Sequence, residues 1–333
     1  LVNQLNKRNI EVDFCDFSKI KEEEKYIKYN EKDKLYTYKT VKRKSKLLVN
    51  IILLVKSLMW FIKNFKKCDE IITSSKYEAV IIGGGQLLLN KCIFPVIMYT
   101  WIISAKKNGI KKIVLFSVGC GRKFNFYENI LLKYSLKKVD KIFVRDKESY
   151  INVKNNFNIE SNLTYDCVFT ISDLIKMNTI SNQVTLLGII DYNTYYIQNE
   201  NPLTREEYYN YWLNIIKNSK ETFKFIYTTE SDLIETIRFK NYVNKYIKYE
   251  IEIVKTSTVK ELCNTISSAN KVISGRMHAL IIAISYGKEI KAFRMNDKLK
   301  GFEVEFIENN INIEFIKSKV NNDINKVLNI ILN

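Results

Sequence analysis

The feature that most limits how this chain can fold is a rhythm of short apolar runs, each ending in glycine, arginine or aspartate and each followed by a helix-forming stretch. Ala79-Val80-Ile81-Ile82 runs into Gly83-Gly84-Gly85, Lys112–Ser117 into Val118-Gly119-Cys120-Gly121-Arg122, and Lys141–Val144 into Arg145-Asp146. Helices are predicted over Phe94–Lys107, with Pro95 in its first turn, over Phe126–Lys138, and from Lys147 to about Asn156. Leu163-Thr164-Tyr165-Asp166 reads as one more short strand. Strands that are apolar on both faces must be covered on both, and crossover helices between parallel strands do this. The fold class predicted is α/β. In such sheets ligands gather at the carboxyl ends of the strands, where these glycines, Arg145 and Asp166 fall.

After a connector at 170–183 the alternation restarts. Strands are predicted at Thr185–Ile190, Phe223–Thr228, Glu250–Val254, Lys271–Ile273 and Glu289–Phe293. The helices between them are Arg205–Asn218, Ser231–Tyr246, Val259–Asn270 and one running from Arg276 to about Gly287. Thr204 and Glu207 have the spacing of a capping box. A closing helix is read at about Asn321–Leu332. Two βα series of similar length imply two Rossmann-like domains, residues 1–172 and 183–318, with a terminal helix at 319–333 and a cleft between the domains. Ile10–Phe14 alternates like a strand, whereas Leu1–Leu5 reads as the middle of a helix; a first strand and its loop are expected to precede it.

The stretch with the most chemistry is Ser274-Gly275-Arg276-Met277-His278-Ala279-Leu280. A strand enters a glycine turn and a helix begins, so unpaired backbone N–H groups face outward and form an anion site. Arg276 adds a planar cationic fork, and His278 is the only histidine among 333 residues. An imidazole beside an anion cradle suits acid–base work on an anionic substrate, the alternative being a histidine that only satisfies a structural hydrogen bond.

A net charge of +17 suits acidic partners, although no zinc-finger or RNP signature accompanies it, so no nucleic acid is expected. The six cysteines are scattered without a CxxC; with one histidine, no metal site is expected, and reduced thiols in a cytosolic protein are the plain reading. Leu47–Ile62 is almost wholly apolar but short of the roughly 20 residues that span a bilayer. Lys42, Arg43, Lys44 and Lys46 precede it, and Lys63, Lys66 and Lys67 follow. It reads as an ordinary packed helix, or as one lying on an anionic membrane surface. Residues 18–46 are charged and aperiodic, a solvated helix or loop, and 18–72 match no specific motif.

In order and spacing, Tyr77–Leu87, Ser117–Gly121, Val144–Ser149, Tyr165–Phe169 and Ile273–Ile281 resemble the polysaccharide pyruvyl transferase family, over roughly residues 75 to 305. Arg276-x-His278-Ala279-Leu280 is the most specific of these, and Lys298 falls where the family has a lysine after the next strand. The resemblance implies two domains arranged as in GT-B glycosyltransferases. It implies transfer of the three carbons of phosphoenolpyruvate to a sugar hydroxyl pair as a ketal, with that donor as substrate and no further cofactor or metal. His278 would move the protons. Arg276, Arg145, Lys298, Ser274, Gly275, Gly84, Gly85, Gly119 and Asp166 would line the substrate site. The acceptor would be a sugar, free or lipid-linked; the basic charge suits an anionic lipid carrier at the inner face of the cell membrane, with the enzyme cytoplasmic or peripheral there. A nucleotide-sugar-dependent glycosyltransferase and a non-catalytic carbohydrate- or membrane-binding relative are the alternatives.

Overall fold

A computed structural model describes residues 1–16, 46–74, 77–90, 93–177, 183–199, 201–293, 297–308 and 312–332. The charged stretch read as solvated helix or loop lies almost wholly outside these residues, as do Cys92 and Arg294–Asn296. The chain divides into two units. The first is Leu1–Asp166 together with Val320–Asn333, and the second is Cys167–Lys319.

The first unit holds four parallel strands in the order β1-β2-β3-β4: β1 Ala79–Gly83, β2 Lys112–Val118, β3 Lys141–Val144 and β4 Asn162–Leu163. From Ile113 to Val118 every residue of β2 is buried, as a central strand covered on both faces requires. The crossover helices are Phe94–Lys107, Phe126–Leu136 and Lys147–Phe157. Local chemistry sets their ends. Asn125 and Glu128 close a reciprocal capping box, Asp146 caps the helix that follows β3, and Asn158 ends that helix in the left-handed region at φ 52°. The apolar run at Leu47 belongs to a helix of 29 residues, Lys46–Ser74, which packs on Phe94–Lys107 through Ser57, Asn64, Cys68 and Ile72. Among the described residues no helix is long and apolar enough to cross a membrane.

The expected strand Ile10–Phe14 does not form. Asn9 turns the chain at φ 57°, Ile10 N–H donates to the Leu5 carbonyl in a helix-end turn, and Phe14 is left 77% exposed. Its alternation has no sheet edge to bury against.

The second unit also has four parallel strands: β5 Val184–Gly188, β6 Thr222–Ile226, β7 Lys271–Ser274 and β8 Glu289–Ala292. Their order is β6-β5-β7-β8. The chain thus leaves β5 toward one side and returns on the other, and the direction of winding reverses between β5 and β7. That reversal opens the crevice where ligands bind in open α/β sheets. Thr204 and Glu207 form the expected capping box at the start of helix Arg205–Lys217, and Thr258 and Glu261 form another at Val259–Ser267. The strand expected at Glu250–Val254 is reduced to one bridge, Ile253 to Phe225. Glu250 and Glu252 beside Lys240 and Lys224 make it a charged edge and not a buried strand. A short helix at Tyr192–Gln198 was not expected from periodicity; Asp191 caps it. The core is aromatic, with Tyr208, Trp212, Phe225, Phe239 and Phe293 all buried.

Candidate active site

The turn after β7 is built by close approach. Gly188 at the end of β5 pairs with Ser274 at the end of β7. A Cβ on Gly188 would lie 2.5 Å from Ser274 Oγ, so a larger residue there would displace the serine hydroxyl. Ser274 Oγ accepts from the Arg276 N–H at 3.0 Å and donates to the Gly188 carbonyl at 3.4 Å. Gly275 is buried with its missing Cβ 3.1 Å from Ile190 Cγ2. It serves close packing against Ile190 and Phe293. The helix Met277–Ser285 then begins with Arg276 at the N-cap position, and the arginine side chain does not cap it.

Arg276 is not a bare cation. Its Nε and Nη2 donate to Asp232 Oδ2 and Oδ1 at 2.9 and 2.7 Å, a two-point fork. Asp232 is fully buried in the first turn of helix Glu230–Val243, and it also accepts from the Asp191 N–H at 3.0 Å and the Thr228 hydroxyl at 2.9 Å. The carboxylate cancels much of the expected positive charge and fixes the plane of the guanidinium. His278, two residues on in the first helical turn, is exposed. Lys298 falls in the helix Asp297–Glu303.

Asp232 is the residue that sequence reasoning missed. It sits three residues after the helix-capping Thr229, whose hydroxyl accepts from the Asp232 N–H, so a helix start was legible there. Its partnership with Arg276 was not, because the two residues follow strands that flank β5 on opposite sides.

In the first unit a second cluster gathers at the strand ends. Gly84 and Gly85 turn the chain with φ of 86° and 71°, a conformation that favours glycine. The Gly85 carbonyl accepts from the Gly119 N–H at 3.0 Å. A Cβ on Gly119 would lie 3.0 Å from Arg145 Nε, so the guanidinium packs against bare backbone. Arg145 is 5% exposed and its Nη1 donates to Asp166 Oδ2 at 2.9 Å, while Asp146 Oδ2 stands 3.7 Å from Nε. Arg145 Nε has no hydrogen-bond acceptor. Asp146 is chiefly a helix cap, whereas Asp166 orients a buried cation. Arg122, beside the same glycine turn, is exposed and paired with Glu148. The predicted residues thus form two groups: Ser274, Gly275, Arg276 and His278 in one unit, and Gly84, Gly85, Gly119, Arg145 and Asp166 in the other. Among the described residues no group of three His, Cys, Asp or Glu side chains is placed to hold a metal ion.

The sequence model of the polysaccharide pyruvyl transferase family matches residues 1–290. The chain belongs to this family. No curated protein matches the sequence. Among solved structures, this pyruvyl transferase family member is similar to the candidate UDP-N-acetylglucosamine 2-epimerase of Listeria monocytogenes, with a TM-score of 0.51 at 10% identity over 74% of this chain. It spans 65% of that protein, just under two thirds of its length. It is also similar to the UDP-GlcNAc 2-epimerase of Neisseria meningitidis bound to UDP-GlcNAc, with a TM-score of 0.50 at 12% identity, covering 86% of this chain and 83% of that one. At such identities the likeness shows the fold alone, a GT-B-like pair of α/β units.

Proposed function

We propose that the protein transfers pyruvate from phosphoenolpyruvate to a pair of hydroxyls on a sugar, forming a ketal and releasing phosphate. One observation carries the reading. An exposed imidazole, His278, stands on the first turn of a helix, two residues from an arginine clamped by a buried carboxylate. Phosphoenolpyruvate carries a phosphate and a carboxylate close together. The N-terminus of that helix and a rigid guanidinium suit one anion, and Lys298, in the same unit, adds cationic charge for the other. Asp232 and Asp166 limit the net charge but fix the direction of each arginine, which orients a donor better than a mobile cation does.

The proton balance closes. His278 in its imidazolium form gives a proton to the methylene carbon, which becomes a methyl group, and the adjacent carbon becomes electrophilic. One sugar oxygen bonds to that carbon. The C–O bond to phosphate breaks with its electron pair staying on phosphate, and the second sugar oxygen closes the ring. Of the two hydroxyl protons, one restores the imidazolium and the other leaves on phosphate. A single imidazole suits such a relay because it both gives and accepts protons in the physiological range. A cytoplasmic enzyme acting at the inner membrane face on a lipid-linked sugar fits this reading and the net charge of +17.

Phosphoenolpyruvate should raise the melting temperature of the protein, whereas UDP-N-acetylglucosamine should not. The reverse result would favour a nucleotide-sugar transferase and sink the donor assignment. His278→Ala should lower phosphate release from phosphoenolpyruvate plus acceptor by about 10²–10⁴-fold. Near-wild-type turnover would remove the histidine from the mechanism.

A further inference from the structure

Helix Lys46–Ser74 is apolar on two sides. Its packed face is made of Ser57, Asn64, Cys68 and Ile72, all buried. Trp60, Phe61 and Ile71 pack beside them, half-buried, but a second set of large apolar side chains faces outward. Ile51, Leu54, Val55, Leu58, Met59 and Ile62 recur at helical spacing along one stripe and are 50–71% exposed. Neither reading made from the sequence alone covers both faces: packing explains the buried side and leaves the stripe without a partner among the described residues. A contiguous apolar patch on a folded protein marks a contact surface.

The geometry points to an anionic lipid surface as what covers this stripe, with the helix lying in the plane of the membrane. Charge selects this occupant. Between Lys46 and Cys68 the helix carries Lys46, Lys56, Lys63, Lys66 and Lys67 and no acidic residue. At 100° per residue, Lys56, Lys63 and Lys67 fall together on the flank between the apolar stripe and the packed face. That is the layout of an interfacial helix drawn to acidic headgroups. A second copy of the chain fits poorly, because a two-fold contact through this stripe would set the lysine flanks against each other. Residues 17–45 fit poorly too: they hold ten Lys and Arg against five Asp and Glu, so they share the charge of the flank they would have to cover.

A second observation extends the surface. Phe61 on this helix meets Tyr99, with ring centroids 6.3 Å apart, and Tyr99 meets Tyr134 at 5.9 Å. Tyr134 is half exposed under the Lys138 ammonium, 4.6 Å from its ring, and shares helix Phe126–Leu136 with exposed Phe126 and Ile130. Tyrosine beside lysine is a pairing suited to the headgroup layer, where one end of the side chain is apolar and the other wet. The inference rests on these helices and not on the transferase reading.

The test is flotation of the full chain with vesicles of phosphatidylcholine alone or with about a third phosphatidylglycerol. The protein should float with the anionic vesicles and stay down with the neutral ones. Met59→Glu with Ile62→Glu, and separately Lys63→Glu with Lys67→Glu, should each cut the bound fraction about tenfold or more. Both pairs lie on the outer surface, so the melting temperature should not change. Failure of the full chain to float overturns the proposal, whether residues 17–45 or a second copy is then found on the stripe. Equal flotation with both vesicle types, or binding that survives both pairs of substitutions, overturns it as well.

Discussion

Arg276 shows how much of a residue's meaning lies outside its own neighbourhood. Within Ser274–His278 it reads as a free cation awaiting an anion, and the fold gives it a permanent partner in Asp232. Because the carboxylate is buried and accepts four hydrogen bonds, losing it strands the guanidinium, the Asp191 N–H and the Thr228 hydroxyl together. Breaking a buried ion pair from one side costs about 3–5 kcal/mol. Asp232→Ala should therefore lower stability by about that amount in denaturant unfolding, and Asp232→Asn by less, since the amide keeps the shape and one acceptor oxygen. If both substitutions leave stability unchanged, Arg276 is not held as described, and its role in orienting a donor goes with it.

Between helices, the same logic concerns protons. Glu235 on helix Glu230–Val243 reaches Arg205 on helix Arg205–Lys217 at 2.7 Å, and the Tyr209 hydroxyl donates to it. Burial raises its carboxyl above the ordinary glutamate range even though the Tyr209 hydrogen bond and the Arg205 charge pull the other way. With its folded-state pKa raised, the stability it contributes is full below the unfolded pKa and declines as pH rises through the folded one. Glu235→Gln should flatten that segment of a melting-temperature–pH curve on the acid side of neutrality. A wild-type curve that instead rises over that interval relative to the variant would mean that the arginine outweighs burial. What the sequence made legible at this scale follows the same division. Helix starts announce themselves through local bonds, as Asn125 with Glu128 and Thr204 with Glu207 show. Buried parallel strands announce themselves through apolar runs, and Lys141–Val144 falls where its run places it. Ile10–Phe14 and Glu250–Val254 misled because a strand needs an edge to join, and alternation does not disclose whether one exists. The outward stripe of helix Lys46–Ser74 was hidden for the converse reason: an unbroken apolar run does not say which of its faces meets the core.

At the scale of the whole chain, the turns of the candidate site were legible because each is a contiguous motif, but strand order was not. The β6-β5-β7-β8 arrangement, which puts Gly188 against Ser274 and brings Asp232 to Arg276, is a property of pairing between distant segments. The unit boundary is of that kind too. Helix Ile313–Leu332 runs past Lys319, where the second unit ends, and its later part returns to the first unit with Val320, Ile324, Val327 and Leu328 buried. Each such side chain is worth about 1.5–3 kcal/mol, so together they rival the roughly 5–15 kcal/mol net stability of a typical domain. Deleting 320–333 should leave the first unit unable to hold its fold, read as loss of its cooperative transition in calorimetry; a truncated protein with both transitions intact would refute this.

That returning segment also sets a timetable. A ribosome makes the first unit's sheet early, then all of the second unit, and only afterwards the residues that complete the first. The earlier half therefore waits, with a seam open, until the whole second unit has been made, and a nascent chain stalled at Lys319 would be a client for chaperones and proteases.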